Sequence, residues 1–337
     1  MSQTTSTTPI IFHSAFIATT AFCFICTVVI SVGNFVVLFS IYKDPVKNLR
    51  NPSSILFTNL VFSDFLTGSL LAPLFSLDSL MDVYGKDSVI IDAIMFILGS
   101  LLLFVSNLTI TAVSFDRLIA VAKPLYYKSI VTTRKIKIVI ALIWILSLFI
   151  CLLPVFQVPR WLFLLIYSHS HVSVPLVSLT TVYVTIFRKL RKHRKLLQNN
   201  SNINDANKEN KDNKMSRRMQ RDQHLTITIV LVMIFFCTAS LPFVVCVHLT
   251  TVIDNCPDCF SENTTRTITS VFYFSGRCII LNAALDPFLL ILRMSKVRQA
   301  VVATFGVRRL VRPRSRITRV APALSTIYEP DLQLTIH

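Results

Sequence analysis

Residues 93–117 read AIMFILGSLLLFVSNLTITAVSFDR. The first 23 of them carry no formal charge, and a bilayer-spanning helix needs about 20 predominantly apolar residues. The run ends on Asp116-Arg117, so chain suited to hydrocarbon gives way to an acid–base pair at one boundary. Outward from this segment the pattern repeats. An uncharged stretch runs from about Ile10 to Tyr42, and Pro52 to Leu80 is interrupted only by Asp64 and the terminal Asp78. Residues 138–159, 161–187 and 223–253 are uncharged, and Thr267 to Leu292 contains only Arg277 and Asp286. These are seven continuous runs, far longer than the 9–11 alternating residues of a barrel strand. The predicted fold is an all-α membrane protein, a seven-transmembrane helix bundle.

Composition agrees. The apolar share is 53% and the mean hydropathy +0.62, against roughly 45–50% apolar residues in a soluble domain. The net charge of +17 would suit nucleic acid in a polar chain, but not in one this apolar. Four segments, 43–50, 117–137, 188–221 and the tail from Arg293, hold 30 of the 34 basic residues. The opposite loops hold Asp78, Asp82, Asp87, Asp92, Asp254, Asp258 and Glu262. By the positive-inside rule the basic segments are cytoplasmic and the uncharged N-terminus is extracellular.

The expected organisation follows. Residues 1–13 form an extracellular tail and 14–293 the membrane domain, with 194–221 a flexible, Asn/Lys-rich third cytoplasmic loop. Residues 294–306 suit a short amphipathic eighth helix at the interface, and 307–337 a basic cytoplasmic tail able to meet anionic lipid.

Ionisable residues inside a span face the bundle interior and mark functional sites. Asp64, Ser106, Asn282 and Asp286 offer hard oxygen and amide ligands. They suit either a small cation such as Na⁺ or a hydrogen-bonded carboxyl pair that shares a proton. Asp116-Arg117 at the inner boundary is either a simple interfacial pair or, with Asp222 opening span six, a lock between helices. Arg277 either meets an acidic ligand group or pairs with Asp92 or another outer acid. His169, His171 and His248 lie in the outer halves of spans five and six, as core histidines or ligand contacts. Pro73, Pro154, Pro175, Pro242 and Pro287 fall within spans and are expected to kink them. Cys256-Pro-Asp-Cys259 reads as a local loop disulfide, and Asn263-Thr-Thr in the same outer loop as a glycosylation sequon. No nucleophile–base set or nucleotide loop is visible, so no enzyme activity and no cofactor beyond the possible Na⁺ is expected. The rival to a receptor is an ion channel or transporter using Asp64 and Asp286.

Taken in order, these residues resemble the rhodopsin-like (class A) G-protein-coupled receptors from about residue 20 to 305. The resemblance rests on Gly33-Asn34, Asn59 through Asp64, Ser114-Phe-Asp-Arg117, Trp144 with Pro154, Pro175 with Tyr183, Phe236 with Pro242, and Asp286-Pro287. It implies that a heterotrimeric G protein, and arrestin in turn, engages the cytoplasmic face in response to an extracellular small molecule or peptide. It also implies an allosteric sodium pocket at Asp64, Ser106, Asn282 and Asp286. Arg117 with Asp116 and Asp222 resembles the inactive-state lock, Tyr183 the residue that steadies that arginine, and Leu125 the apolar contact inserted into the G protein. Phe236 and Pro242 belong to the activation switch. The ligand would meet Asp92, Phe96, Gly99, His169, His171, Phe243, Val247, His248 and Arg277. Asp92 stands where a disulfide cysteine is usual, Ser240 where a tryptophan is usual, and Leu118 and Leu290 where tyrosines are usual. The short second outer loop and Asp-Pro in span seven are similar to melanocortin receptors, and the outer cysteine pair to adenosine receptors. Gly99 replaces the aspartate of amine receptors.

Overall fold

The computed structural model describes residues 10–45, 49, 51–86, 88–200, 235 and 238–306, with the side chains of 10–15, 160, 171, 190, 192–200, 257 and 293 left aside. Among them the chain is helical throughout, with no strand. Helix α1 is Ile10–Lys43. Helix α2 runs Pro52–Leu66, a π-helical turn Thr67–Leu71, and Ala72–Val83. Helix α3 is Val89–Ala122 and α4 is Thr133–Cys151. Helix α5 comprises Arg160–Ser168, a π-helical turn His169–Ser173, and Val174–Asn200. Residues 238–255 form α6. Glu262–Cys278 and Leu281–Arg293 form α7, and Ser295–Phe305 forms α8.

Sequence sets where these helices start. Asn51, Ser88, Thr132 and Ser261 are extended residues whose side-chain oxygens accept the backbone N–H of Ser54, Ile91, Lys135 and Thr264. Each thereby satisfies a donor that the first helical turn leaves free. Helix α8 stops on Gly306, whose φ of 69° is the left-handed region that glycine adopts without strain.

The prolines shape the interior. A proline ring clashes with the carbonyl four residues earlier, and in α2 and α5 the carbonyls facing Pro73 and Pro175 lie within the π-helical turns. Widening the helix there accommodates the ring. In α7 the equivalent carbonyl, of Ala283 before Pro287, accepts the Asn34 Nδ2 of α1 at 3.0 Å. Gly33 sits beside it, and a Cβ there would come 2.9 Å from Pro287 Cγ. The Gly33-Asn34 pair is therefore shaped to dock against the proline of α7.

Helix α3 contacts α2, α4 and α5, while α1 contacts α2, α7 and α8. Trp144 Nε1 donates to Asn59 Oδ1 at 3.0 Å and Asn59 Nδ2 donates to Thr109 Oγ1 at 2.8 Å, tying α4, α2 and α3. Phe24, Ile25 and Val32 of α1 and Leu142, Ile145 and Phe149 of α4 are exposed on the outside of the bundle. So much outward apolar surface with polar residues inside is the pattern of a lipid-facing bundle. Phe16–Lys43, Pro52–Val83, Val89–Ala122 and Glu262–Leu292 are each long and apolar enough to cross a membrane. Helix α4 opens on the basic residues Arg134, Lys135 and Lys137, and within α5 residues 161–187 carry no formal charge.

Several expectations shift. Helix α1 begins at Ile10, inside the stretch 1–13 expected to be tail. Residues 194–200 of the expected loop extend α5 as helix, and 201–221 lie outside the described residues, as does the tail 307–337. Pro154 does not kink α4. It lies in a 3-10 turn, Leu153–Phe156, after the helix has ended.

Candidate functional site

Three groups of polar side chains occupy three depths in the bundle. In the middle, Asp64 is fully buried on α2 one turn before the π-helical turn. Ser106 Oγ of α3 donates to Asp64 Oδ1 at 2.9 Å. The Asp286 carboxyl of α7 lies beside that of Asp64. Asp64 Oδ2 and Asp286 Oδ2 are buried without a hydrogen-bond partner among the described residues. Two buried carboxyls in contact cannot both stay charged without a counter-charge, so this site requires a shared proton or a cation. Ser106 Oγ and the two unpartnered Oδ2 atoms are hard oxygens that fit a small cation. Asn282 does not join them: it is half-buried one turn earlier and makes no side-chain hydrogen bond among the described residues.

At the basic end, Asp116 accepts from Ser53 Oγ at 2.9 Å and from Tyr127 OH at 2.6 Å. Burial pushes the Tyr127 phenol above its ordinary value, and the carboxylate taking its proton adds to this. Arg117 lies 3.4 Å from the same carboxylate and 5.5 Å from the Phe57 ring centroid, with its side chain 31% exposed. Asp116 is thus fixed by neutral hydroxyls, and its charge leaves Arg117 loosely held. Tyr183 OH donates to Ser114 Oγ at 3.0 Å, three residues before Arg117, and not to the arginine. Leu125 is 91% exposed and lines a depression of about 530 Å³ with Lys123, Tyr126 and Ile130. Asp222 and Phe236 lie outside the described residues, and Pro242 is exposed on α6. The two unusual leucines are core residues: Leu118 packs beside Tyr183, and Leu290 joins an apolar cluster with Phe57, Val61 and Val297. Ser240 is fully buried, its hydroxyl without a hydrogen-bond partner among the described residues.

At the acidic end, Arg277 of α7 pairs with Asp78 of α2, so of the expected outer acids its partner is Asp78 and not Asp92. Its Nη1 donates to the Tyr273 carbonyl at 3.0 Å, and its guanidinium lies 3.1 Å from the Tyr273 ring centroid. The Tyr273 hydroxyl in turn donates to Asp82 and lies 3.0 Å from Ser79 Oγ. Arg277 is only 8% exposed, so it is consumed by this cluster and does not reach toward a ligand. Asp92 stands exposed in the first turn of α3.

Of the other predicted ligand contacts, Phe243 and Val247 are buried in an aromatic cluster with Phe104, Phe163 and Tyr167. Phe96 packs on Phe163 with ring centroids 4.8 Å apart. Gly99 faces Leu71 of α2, where a Cβ would meet Leu71 Cδ1 at 3.3 Å, so it lines no ligand space. His169 and His248 face each other across α5 and α6, and the side chain of His171 lies outside the described ones. Cys256 and Cys259 form the expected disulfide, and Asn263 is exposed.

Ser53, Tyr127, Asp78 and Tyr273 were not singled out from sequence as site residues. For Ser53 alone a local signal exists, since the cap at Asn51-Pro52 places it in the first turn of α2.

The family model described as "7 transmembrane receptor (rhodopsin family)" matches residues 33–161 and 156–290. The chain belongs to this family. The receptor is 33% identical over 140 residues to melanopsin of Branchiostoma belcheri, covering 42% of the chain and 19% of that protein. It is 27% identical over 170 residues to "Rhodopsin, GQ-coupled" of Mizuhopecten yessoensis, covering 44% and 34%. It is 32% identical over 128 residues to octopamine receptor Oamb of Drosophila melanogaster, covering 36% and 18%. The receptor thus spans about a third or less of the length of these relatives. They are opsins and an amine receptor, so class membership rests on them and on the family model, not on the melanocortin- and adenosine-like features of the outer loops.

Proposed function

We propose that this receptor lies in the plasma membrane with its acidic end and N-terminus outside, and couples an extracellular ligand to a heterotrimeric G protein at its basic end. The carrying observation is the basic end itself. Asp116 is pinned by Ser53 and Tyr127, Arg117 stays partly exposed, and Leu125 stands out beside a depression on the same face. An exposed cation next to an exposed leucine is a docking surface with an arginine anchor. Arrestin and anionic lipid would meet the same basic face. Family membership disfavours a channel or transporter.

The ligand is read as neutral and largely apolar. None of the aromatic-cluster residues between α3, α5, α6 and α7 is charged, and Arg277 is already paired. An amine would find no carboxylate at Gly99. Residues 51–85, 88–122, 138–187 and 223–292 contain no lysine, so a carbonyl ligand has no amine in these spans with which to form a Schiff base.

Nucleotide exchange on a panel of heterotrimeric G proteins tests the signalling reading. The receptor in lipid discs should accelerate exchange on at least one heterotrimer, and Arg117→Ala should reduce this about tenfold or more, as expected for losing an arginine anchor of a docking surface. If no heterotrimer responds to the wild type, basal activity included, the reading fails.

Ser106 and the carboxyl pair are proposed to hold Na⁺ in the inactive bundle. A cation bound in one state and not the other shifts the population between them. The basal exchange rate should then fall as Na⁺ replaces K⁺ at constant ionic strength, and Asp64→Asn should remove that dependence. Equal rates in the two salts for the wild type would contradict sodium binding and favour the shared proton.

A further inference from the structure

Two histidines at the acidic end face each other across neighbouring helices. His169 lies in the π-helical turn of α5 and His248 on α6. Their ring centroids are 5.2 Å apart with an interplanar angle of 81°, and both side chains are exposed. We propose that His169 and His248 form a binding site for a divalent transition cation of the zinc class, bridging α5 and α6 from the extracellular side.

Three observations carry this. The first is spacing. Two imidazoles on one tetrahedral zinc, with Zn–N of about 2.0–2.1 Å, place their ring centroids roughly 5 Å apart, which is the separation here. The second is the state of the rings. His248 Nδ1 lies 2.8 Å from the Val244 carbonyl, an acceptor only, so Nδ1 is the ring nitrogen that donates and Nε2 is the one left to meet a metal. His169 Nδ1 lies 3.0 Å from Ser173 Oγ, which can accept in the same way. A histidine ligand typically donates its second ring N–H to a carbonyl or similar acceptor, which orients the ring and raises its basicity. The third is backbone placement. The π-helical turn extends from His169 to Ser173 and so contains both the imidazole and the hydroxyl that holds it. Imidazole nitrogen selects zinc, copper or nickel over magnesium and calcium, which prefer oxygen. Two protein ligands leave the remaining positions to water, so the site is weaker than a closed four-ligand one.

The experiment uses the full chain in lipid discs, with zinc chloride as the probe and a chromophoric chelator to count bound ions. The wild type should bind one more zinc per receptor than His169→Ala or His248→Ala. The thermal midpoint should rise with zinc in the wild type alone, because the ion favours only the folded bundle. Magnesium should do neither. Both rings are exposed, so the alanine variants should fold, and an unchanged melting curve without metal checks this. Equal stoichiometry in the wild type and both variants, or a zinc response that survives in the double variant, would overturn the proposal. This readout is independent of G-protein coupling, so its failure and that of the signalling reading can be told apart.

Discussion

Arg277→Ala is expected to destabilise the folded receptor by about 3–5 kcal/mol, the range seen when one partner of a buried ion pair is removed. The arginine is 8% exposed and its removal leaves Asp78 without its cation. It also takes away the cation stacked on Tyr273 and the donor to the Tyr273 carbonyl. The neighbouring carboxylate of Asp82 would then repel Asp78 with no positive charge between them. Thermal or denaturant unfolding in a detergent of fixed composition measures the loss. Removing both charges, as Arg277→Met with Asp78→Leu, should recover most of it, because an apolar pair of similar volume avoids the desolvation that an ion pair must overcome. If Arg277→Ala melts like the wild type, the cluster does not hold α2 to α7.

The second large effect concerns Gly68, and its sign separates it from an ordinary helical glycine. A Cβ at Gly68 would stand 2.6 Å from the Ser31 backbone nitrogen and 2.7 Å from Ile30 side-chain atoms. Backbone cannot rotate away, so Gly68→Ala must push α1 from α2, at a cost of about 1–3 kcal/mol or more. Gly276 differs. A Cβ there would meet Phe243 at 3.6 Å, ordinary contact distance. Gly276→Ala should be neutral or stabilise by up to about 1 kcal/mol, since alanine is the better helix former. Melting both variants side by side decides the matter, and a destabilised Gly276→Ala with an unaffected Gly68→Ala would refute this account of helix approach.

The spans are legible because membrane helices are written as long uncharged runs, and among the described residues the helices lie nearly where the sequence puts them. Partners across helices were legible only where depth alone determines them. Asp64 and Ser106 lie at matching depth on adjacent helices and do meet. Arg277 and Asp92 also share an end, yet Arg277 turns to Asp78, because α7 at that end faces α2. Rotation about each helix axis decides such pairings, and one sequence does not encode relative rotation. Ser53 and Tyr127 escaped notice for the same reason: they reach Asp116 from the start of α2 and from the one-turn helix Tyr127–Ile130. Asn34 is the contrary case. Its amide answers a carbonyl that Pro287 cannot use, so the two motif residues explain each other once α1 and α7 are side by side.

The connection between α4 and α5 narrows to Gln157, Val158 and Pro159, with Gln157 held at a φ of 61°. Three residues reach at most about 10 Å, so the 3-10 turn Leu153–Phe156 that follows α4 is leashed to the start of α5 like the arms of tongs at their pivot. Neither can swing there without the other. A displacement of α5 at this end is therefore handed to α4 through three residues of backbone.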